Sequence, residues 1–246
     1  MSPAAHELFA VLAVIFVATV VRAALGFGEA LVAVPLLALV LPIEQATPLA
    51  ALVSVTVAAI IVARDWRGVH LGSAARLVAA SLLGIPLGLL LLTRVAEPVV
   101  KAILGAVIIT FSAFAVFSRR PPELKDDRLA WLFGLGAGVL GGAYGMNGPP
   151  LVAYGTLRRW SPEQFRATLQ GYFLPASAVG VLGYWMAGLW VPAVTRYYLL
   201  SLPVILAAIA VGHAVFRRMN VRAFAASVRV GLVAIGAVLL AQALRR

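Results

Sequence analysis

Two glycine clusters, GFGE (residues 26–29) and GGAYGMNGPP (residues 141–150), each break a long apolar run near its middle. The hydrocarbon of a membrane offers no hydrogen-bond partner to an open backbone, so such breaks persist only where protein or a polar cavity surrounds them. Interrupted apolar segments in both halves of a chain are typical of a transporter's binding site. The two clusters therefore predict a substrate site to which both halves contribute.

The composition is that of an integral membrane protein, because 63% of the 246 residues are hydrophobic and 12% are charged. The formal net charge is +11, but Lys and Arg fall in short clusters between apolar runs, which argues against nucleic acid as a partner. The expected partners are lipid and a small substrate. The chain has no Cys, and its three His residues show no metal-ligand spacing, so we expect neither a metal nor another cofactor.

Six uninterrupted apolar runs are long enough to cross a bilayer, which takes roughly 20 helical residues. They lie at about 46–63, 73–92, 97–117, 165–187, 195–216 and 225–244. Two further runs, 8–41 and 129–157, are too long for one ordinary crossing and are the runs that the glycine clusters break. Their parts, about 8–22 with 29–41 and 129–143 with 149–157, are predicted to be half-crossings.

The two halves resemble each other at a fixed offset. Adding 119 to the residue number carries Ala24 to Ala143, Gly26 to Gly145, Glu44 to Glu163 and Gln45 to Gln164, and it superimposes the two breaks. In both halves a broken segment precedes three crossings, so a duplication is favoured. We therefore divide the chain into a first repeat, residues 1–120, and a second repeat, residues 121–246, within one membrane domain.

Basic residues cluster in four connections, which the positive-inside rule places in the cytoplasm. The clusters are Arg64, Arg67 and Arg76; Arg119, Arg120, Lys125 and Arg128; Arg158, Arg159 and Arg166; and Arg217, Arg218, Arg222 and Arg229. Segment 129–157 joins two of these clusters, so it is predicted to be a hairpin of two half-helices. Each repeat then has an odd number of full crossings, which inverts the second repeat relative to the first and leaves both termini outside.

The predicted fold is thus an all-α polytopic membrane protein of two inverted repeats, each a broken segment followed by three transmembrane helices. Two alternatives stay open. Ten full crossings would keep the inversion, whereas a plain eight-helix count would give parallel repeats. The sequence also leaves the oligomeric state open, and a homo-oligomer is compatible with it.

The start of a helix carries unpaired backbone N–H groups and the positive end of the helix dipole, so it favours an anion. One helix start is predicted near Gly28 and Glu29. A second follows Asn147, a candidate N-cap before Pro149 and Pro150, since proline suits a first helical turn. Two helix starts that face each other would form a small anion site of backbone donors. The alternative is that these glycines only allow close helix packing.

Arg22 and Glu29 flank the first break, and each is costly in hydrocarbon, so both must face protein or water. Two roles stay open for them. Arg22 would hold an anionic substrate while Glu29 takes up a coupling proton, or the two would neutralise each other as a structural pair. Arg166 could attract an anion near the cytoplasmic face, although an arginine that snorkels to the interface is the commoner case.

Neutral hydrogen-bonding side chains lie on the segments that follow the breaks. Tyr144 and Gln170 belong to the second half, whereas Ser54 and Thr56 belong to the first. For any one of them, a polar group satisfied inside a helix bundle is the commoner case. The residues that we assign to substrate binding are Arg22, Gly26, Gly28, Tyr144, Gly145, Asn147, Gly148 and Gln170, with Glu29 assigned to proton coupling.

These features predict a secondary transporter of a small anion that works by alternating access. A passive anion channel would use the same backbone donors and is the main alternative. A permease subunit that depends on a separate ATPase also stays open. An enzyme is disfavoured, because the sequence shows no nucleophile elbow, no phosphate-binding loop with its Lys and no metal-binding His pair.

The chain resembles the sulfite exporter TauE/SafE family of membrane transporters. The resemblance lies in GFGEALVAVPLL, which starts at Gly26, in GGAYGMNGPPLV, which starts at Gly141, and in the four-part organisation of each half. It implies transport of small sulfur-containing anions, such as sulfite and organosulfonates, across the bacterial inner membrane. The family's first motif is usually richer in glycine, and Glu29 in its place changes the charge of the expected site.

Overall fold

The computed structural model describes residues 3–94, 123–144 and 146–220, and the single positions 223, 226 and 230. Within the three ranges every regular element is helical, as the sequence predicts. The predicted crossings 97–117 and 225–244 lie outside these ranges. The division into repeats at residue 120 stays a prediction.

Eight α-helices are present in the described residues. They are α1 (Pro3–Leu25), α2 (Glu29–Leu37), α3 (Ile43–Asp65), α4 (Leu71–Arg94), α5 (Ala130–Tyr144), α6 (Gly148–Leu157), α7 (Pro162–Met186) and α8 (Pro192–Arg218), with a 3₁₀ turn at Trp66–Gly68. Helices that are distant in sequence pack together, namely α1 with α8, α3 with α7 and α4 with α5. The short helix α2 packs on α1 and α3, and α6 packs on α5. Both halves therefore contribute to one bundle.

Both glycine clusters interrupt a helix, as predicted. Between α1 and α2, Gly26 and Gly28 have φ angles of 87° and 95°. Glycine adopts this left-handed conformation freely, whereas it costs other L-residues roughly 1–2 kcal/mol. The second break lies where it is predicted, since α5 ends at Tyr144, one residue beyond the predicted segment 129–143, and α6 begins at Gly148.

One predicted half-crossing is wrong. Segment 8–22 lies within α1, a helix of 23 residues whose stretch Ala5–Leu25 is long and apolar enough to cross a membrane by itself. Arg22 does not end the helix, because its charge is buried against partners from other helices. The other parts are short, as predicted, since α2, α5 and α6 have 9, 15 and 10 residues.

Four helices in the described ranges are long and apolar enough to cross a membrane. They are Ala5–Leu25, Ile43–Gly68, Leu71–Leu91 and Pro192–Arg218, and the last three contain the predicted crossings 46–63, 73–92 (to residue 91) and 195–216. Helix α7 covers most of the predicted crossing 165–187 and has 25 residues, but it is more polar. Its polar residues Arg166, Thr168 and Gln170 are all buried, so the lower apolarity of α7 reflects its place inside the bundle.

The offset of 119 residues between the halves extends to the helix ends. The matched ends are Leu25 with Tyr144, Glu29 with Gly148, and Ile43 with Pro162. The two broken segments and the helices that follow them therefore share one pattern of helix boundaries. The inverted orientation of the second half stays a prediction.

Glycines bring the backbones of α4 and α5 into direct contact. The facing residues are Gly84 and Gly88 of α4 and Gly134, Gly138 and Gly142 of α5. A Cβ atom at Gly138 would lie 2.6 Å from the carbonyl oxygen of Ser81. Small residues spaced four apart allow this approach in membrane helices. Gly142 therefore serves helix packing, the role that the sequence leaves open as an alternative.

We predict that Gly138→Ala lowers the stability of the protein in detergent by about 1–3 kcal/mol, because the new methyl group meets backbone atoms that cannot move aside. Gly180→Ala in α7 is the matched control, since no atom of the described residues lies within 4 Å of its Cβ position. The control should be neutral or stabilising by up to about 1 kcal/mol. Thermal unfolding followed by circular dichroism measures both, and equal effects would contradict the packing role.

Candidate functional site

The two breaks meet at one small cavity. Its lining residues are Arg22, Phe27, Gly28, Glu29, Ala30, Leu31, Ser54, Met146, Asn147, Gly148 and Phe173. The cavity volume is about 20 Å³, which is room for a single water. Most of its polar lining is buried, with Arg22 and Glu29 each 2% exposed. The predicted meeting of the two broken segments is therefore present in the described residues, in a closed form.

The first turn of α2 lies along the cavity. The first backbone bond of this turn runs from the Val32 N–H to the Gly28 carbonyl at 3.1 Å. The N–H groups of Glu29, Ala30 and Leu31 therefore precede the helical hydrogen-bond ladder, and these residues line the cavity. The start of α2 therefore lies at the cavity, with backbone N–H groups that the helix itself leaves unpaired.

The start of α6 differs in one respect from the expectation. Asn147 stands at the N-cap position, but its side chain accepts no capping hydrogen bond from the described first turn, and its backbone is already helical at φ −71° and ψ −14°. The side chain instead lies against Gly141, where a Cβ atom would be 2.7 Å from Asn147 Nδ2. The predicted N-cap position of Asn147 is therefore confirmed, but its side chain does not cap the helix, and Pro149 and Pro150 lie in the first turn, as predicted.

Arg22 is the charged centre of the site. Its Nε and Nη2 donate to Gln170 Oε1 at 3.0 and 2.8 Å. Its Nη1 forms an ion pair with Glu29 and donates to Ser54 Oγ at 2.6 Å. The guanidinium carbon lies 4.6 Å from the centre of the Phe173 ring, within range of a cation–π interaction. Side chains from α2, α3 and α7 therefore converge on one cation from α1.

Glu29 is held in the same network. Its carboxylate accepts hydrogen bonds from Arg22 and from Thr19 Oγ1, the latter at 3.3 Å. Ser54, which binds Arg22, shares a hydrogen bond of 3.0 Å with Ser177. A buried Arg–Glu pair of this kind costs desolvation energy, which only good geometry and further hydrogen bonds can offset. The Arg22–Glu29 pair has such further hydrogen bonds. Both predicted roles, substrate site and structural pair, fit this arrangement.

Gln170 connects the charged centre to the first break. Its Nε2 donates to the Gly26 carbonyl at 2.9 Å, which directs Oε1 towards Arg22. Gln170 is completely buried, and neither it nor Gly26 lines the cavity. Both residues therefore support Arg22 and the bend of the break from behind the cavity wall.

The other polar residues predicted from the sequence lie away from the cavity or outside the described residues. Thr56 donates to the Leu52 carbonyl and bonds the Tyr198 hydroxyl, away from the cavity. The Tyr144 side chain and Gly145 lie outside the described residues. The sequence reasoning missed Thr19, Phe27, Met146, Phe173 and Ser177, whose residue types are ordinary in membrane helices and carry no local signal.

A second polar cluster holds the base of the α5–α6 hairpin. Asp127 accepts hydrogen bonds from Ser73 Oγ at 2.8 Å, from Arg76 Nη1 at 2.5 Å and from the Tyr154 hydroxyl at 2.5 Å. Arg158 Nε lies 3.4 Å from the same carboxylate. Since Ser73 and Arg76 belong to α4 and Tyr154 belongs to α6, Asp127 fastens the hairpin to α4.

The environment of Asp127 favours its ionised form. Partial burial acts to raise the pKa of the carboxyl group. The hydrogen bonds from Tyr154 and Ser73, followed by the charges of two arginines, outweigh burial and hold the pKa of Asp127 below its ordinary value. The carboxylate therefore remains charged down to acidic pH.

Comparison with known proteins gives one family. The family model described as Sulfite exporter TauE/SafE matches residues 11–239, nearly the whole chain. The matched range contains both breaks and every residue of the charged centre. No curated protein and no solved structure matches the chain.

Replacing the glycines of the first break should test its geometry. Gly28→Ala introduces left-handed strain of about 1–2 kcal/mol, with Val21 Cγ1 at 3.3 Å from the new Cβ. Gly26→Ala adds a clash to the same strain, because its Cβ would lie 2.7 Å from Arg166 Cγ and 3.0 Å from Arg166 Cα. We therefore expect Gly26→Ala to lower the unfolding temperature more than Gly28→Ala. The reverse order would contradict the described close approach of the break to α7.

Replacing Asp127 should change both stability and its pH dependence. Because the pKa of Asp127 is lower in the folded than in the unfolded protein, its contribution is present above the unfolded pKa of about 3.9 and is lost as pH falls through the folded pKa. Asp127→Asn should cost about 1–3 kcal/mol at neutral pH and remove this acid-dependent loss.

Asp126→Asn is the matched control for that substitution. The Asp126 side chain is 63% exposed and pairs at 3.5 Å with Arg128, which is 90% exposed. Its effect on the free energy of unfolding should stay within about 1 kcal/mol. Thermal unfolding between pH 3 and pH 7, roughly the span in which the Asp carboxyl titrates, compares the two variants. A similar loss of stability in both variants would contradict the role of Asp127 in fastening the hairpin to α4.

Proposed function

The chain belongs to the sulfite exporter TauE/SafE family, and from this premise we propose that it is a secondary transporter of a small sulfur oxyanion, such as sulfite or an organosulfonate. Family membership makes it a membrane transporter of sulfur anions. The carrier mechanism, its coupling to protons and the choice of substrate are the proposal. The observation that carries it is the buried Arg22–Glu29 pair beside a cavity where two helix starts meet.

The chemistry of the cavity suits an anion whose oxygens accept hydrogen bonds. Arg22 supplies the positive charge, and the first turn of α2 together with Gly148 at the start of α6 supplies backbone N–H groups, since Pro149 and Pro150 have none. The Ser54 hydroxyl and the Asn147 amide add neutral donors at the same wall. Sulfite and sulfonate oxygens accept hydrogen bonds and donate none when ionised, so every one of these groups matches them.

Glu29 sets the condition for binding. In the closed arrangement its carboxylate already occupies Arg22 Nη1, so an anion has to take its place. Two negative groups next to one guanidinium would repel each other, and protonation of Glu29 removes that repulsion. A proton on the Glu29 carboxylate and an anion on Arg22 would then enter the site together. This exchange of partners is the proposed basis of proton coupling.

The size of the cavity supports a carrier over a passive channel. Its volume of about 20 Å³ holds a water but not an anion of four or more heavy atoms. The walls contributed by Phe27, Met146 and Phe173 would have to separate before substrate enters. We propose that α2 and α6 move with their own halves of the chain, which exposes the site to one side of the membrane at a time.

Location and assembly complete the proposal. A bacterial sulfur-anion exporter acts in the inner membrane, and the distribution of Arg and Lys favours both termini on its outer face. Lipid is the surrounding partner, and a homo-oligomer is compatible with the exposed apolar surface of α8, such as Leu199 and Leu206.

Transport by the purified chain in proteoliposomes tests the proposal. Wild type should take up sulfite or a sulfonate saturably, show counter-transport, and respond to an imposed pH gradient. Glu29→Gln mimics the protonated carboxyl, so it should retain anion exchange but lose stimulation by the pH gradient. Asn147→Ala should raise the apparent KM about tenfold, the loss expected for one buried hydrogen bond to a charged group.

Glu44→Gln is the matched control, because Glu44 is an exposed carboxylate in the first turn of α3. It should leave uptake and its pH response unchanged. Flux that Glu29→Gln and Asn147→Ala do not alter would overturn the site assignment. Linear, non-saturable flux without counter-transport would favour the channel instead.

A further inference from the structure

Arg166, on α7, is the second buried cation beside the first break, and one of its two terminal nitrogens has no hydrogen-bond partner among the described residues. The side chain is 5% exposed, and Nη2 donates to Asp65 Oδ2 at 2.9 Å. Nη1 is buried and has no hydrogen-bond partner in the part of the chain that the structure describes. One face of the guanidinium lies 4.1 Å from the centre of the Phe216 ring. A buried unpaired charged donor is costly, so its retention calls for an explanation.

Arg166 lies one helical turn from the charged centre. Gln170, four residues further along α7, bonds both Arg22 and the Gly26 carbonyl. The aliphatic part of Arg166 packs on Gly26 itself, since a Cβ there would be 2.7 Å from Arg166 Cγ. The first break therefore separates two guanidinium groups, Arg22 on the cavity side and Arg166 on the other.

Arg166 lies next to other charged groups, one of which is partly exposed to water. Asp65, which ends α3, is 32% exposed at its side chain, whereas Arg166 behind it is buried. Arg64 and His213 also lie within electrostatic reach of this pair, and Arg217 lies within reach of His213. A small anion that displaced Asp65 would meet the positive charges of Arg166 and Arg64.

We propose that Arg166 forms a second binding position for the transported oxyanion, between the end of α3 and the central cavity. One oxygen of the anion would accept from the free Nη1, and a second would replace Asp65 on Nη2, which gives the forked contact that Arg makes with oxyanions. Asp65 is then a competitor that holds Arg166 when the position is empty. This inference rests on the proposed function, because it takes the same sulfur oxyanion as its ligand.

Two substitutions at the pair should act with opposite signs. Arg166→Gln removes the cation and should raise the apparent KM for sulfite about tenfold or more, the equivalent of a lost charged hydrogen bond. Asp65→Asn removes the competing charge and should lower the apparent KM about threefold. If the ion pair is purely structural, both substitutions should lower the unfolding temperature and both should reduce transport.

The measurement is sulfite uptake by the full chain in proteoliposomes, with the sulfite-induced rise in unfolding temperature as a second readout of binding. Arg166→Lys keeps the charge but loses the planar fork, and it replaces Arg166→Gln if that variant does not fold; its KM should also rise. Arg67→Gln is the control, because it removes one exposed positive charge at the same end of α3 and should leave the KM unchanged.

The outcomes separate this inference from the proposed function. Wild type that moves neither sulfite nor a sulfonate would refute the transport function itself. A different result would refute the second position alone. In that case wild type is active and sensitive to Asn147→Ala, but the KM is the same after Arg166→Gln or Arg166→Lys and after Asp65→Asn. A KM that rises in Asp65→Asn as well would assign the pair a structural role and refute the second position.

Discussion

The need to neutralise and hydrogen-bond the guanidinium of Arg22 organises the centre of this protein. Arg22 lies in the last turn of the apolar helix α1, and an arginine inside a membrane costs up to about 2.5–3.5 kcal/mol on insertion scales, so its partners must be in place when the bundle forms. Those partners come from three other helices, with Glu29 on α2, Ser54 on α3 and Gln170 on α7. The positions of α2, α3 and α7 around α1 are thereby tied to one cation.

Glycine has two separate tasks around that centre. At Gly26 and Gly28 a left-handed backbone turns the chain so that α2 starts beside Arg22. In α5 the glycines are helical, and their missing side chains let α4 approach to backbone contact. The left-handed glycines orient hydrogen-bond donors. The helical glycines fix α4 against α5, the helix that precedes the second break. A glycine-rich motif in a membrane protein therefore has to be divided residue by residue before it is assigned to a site.

The features that the sequence predicts correctly are those with local causes. A glycine cluster within an apolar run predicts a break, and a lone Arg22 or Glu29 in such a run must find protein partners. The length of α1 was not predicted, because burial of Arg22 lets the helix continue to Leu25 and depends on residues more than a hundred positions away. The non-capping rotamer of Asn147 likewise depends on the space above Gly141. Phe173 and Ser177 have no unusual neighbours in sequence, and only the packing of α7 brings them to the centre.

The shared helix ends of the two halves conceal an unequal distribution of side chains. The offset of 119 residues places Arg22 opposite Gly141 and Glu29 opposite Gly148. The half that carries the ion pair thus has a counterpart in which both charged side chains are replaced by hydrogen, and the space at Gly141 is taken up by Asn147. The helix ends of the two halves match, but their charged side chains do not. One guanidinium serves a cavity built by two segments whose helix ends match, so the site has a single charged centre, with a charged wall and a neutral wall.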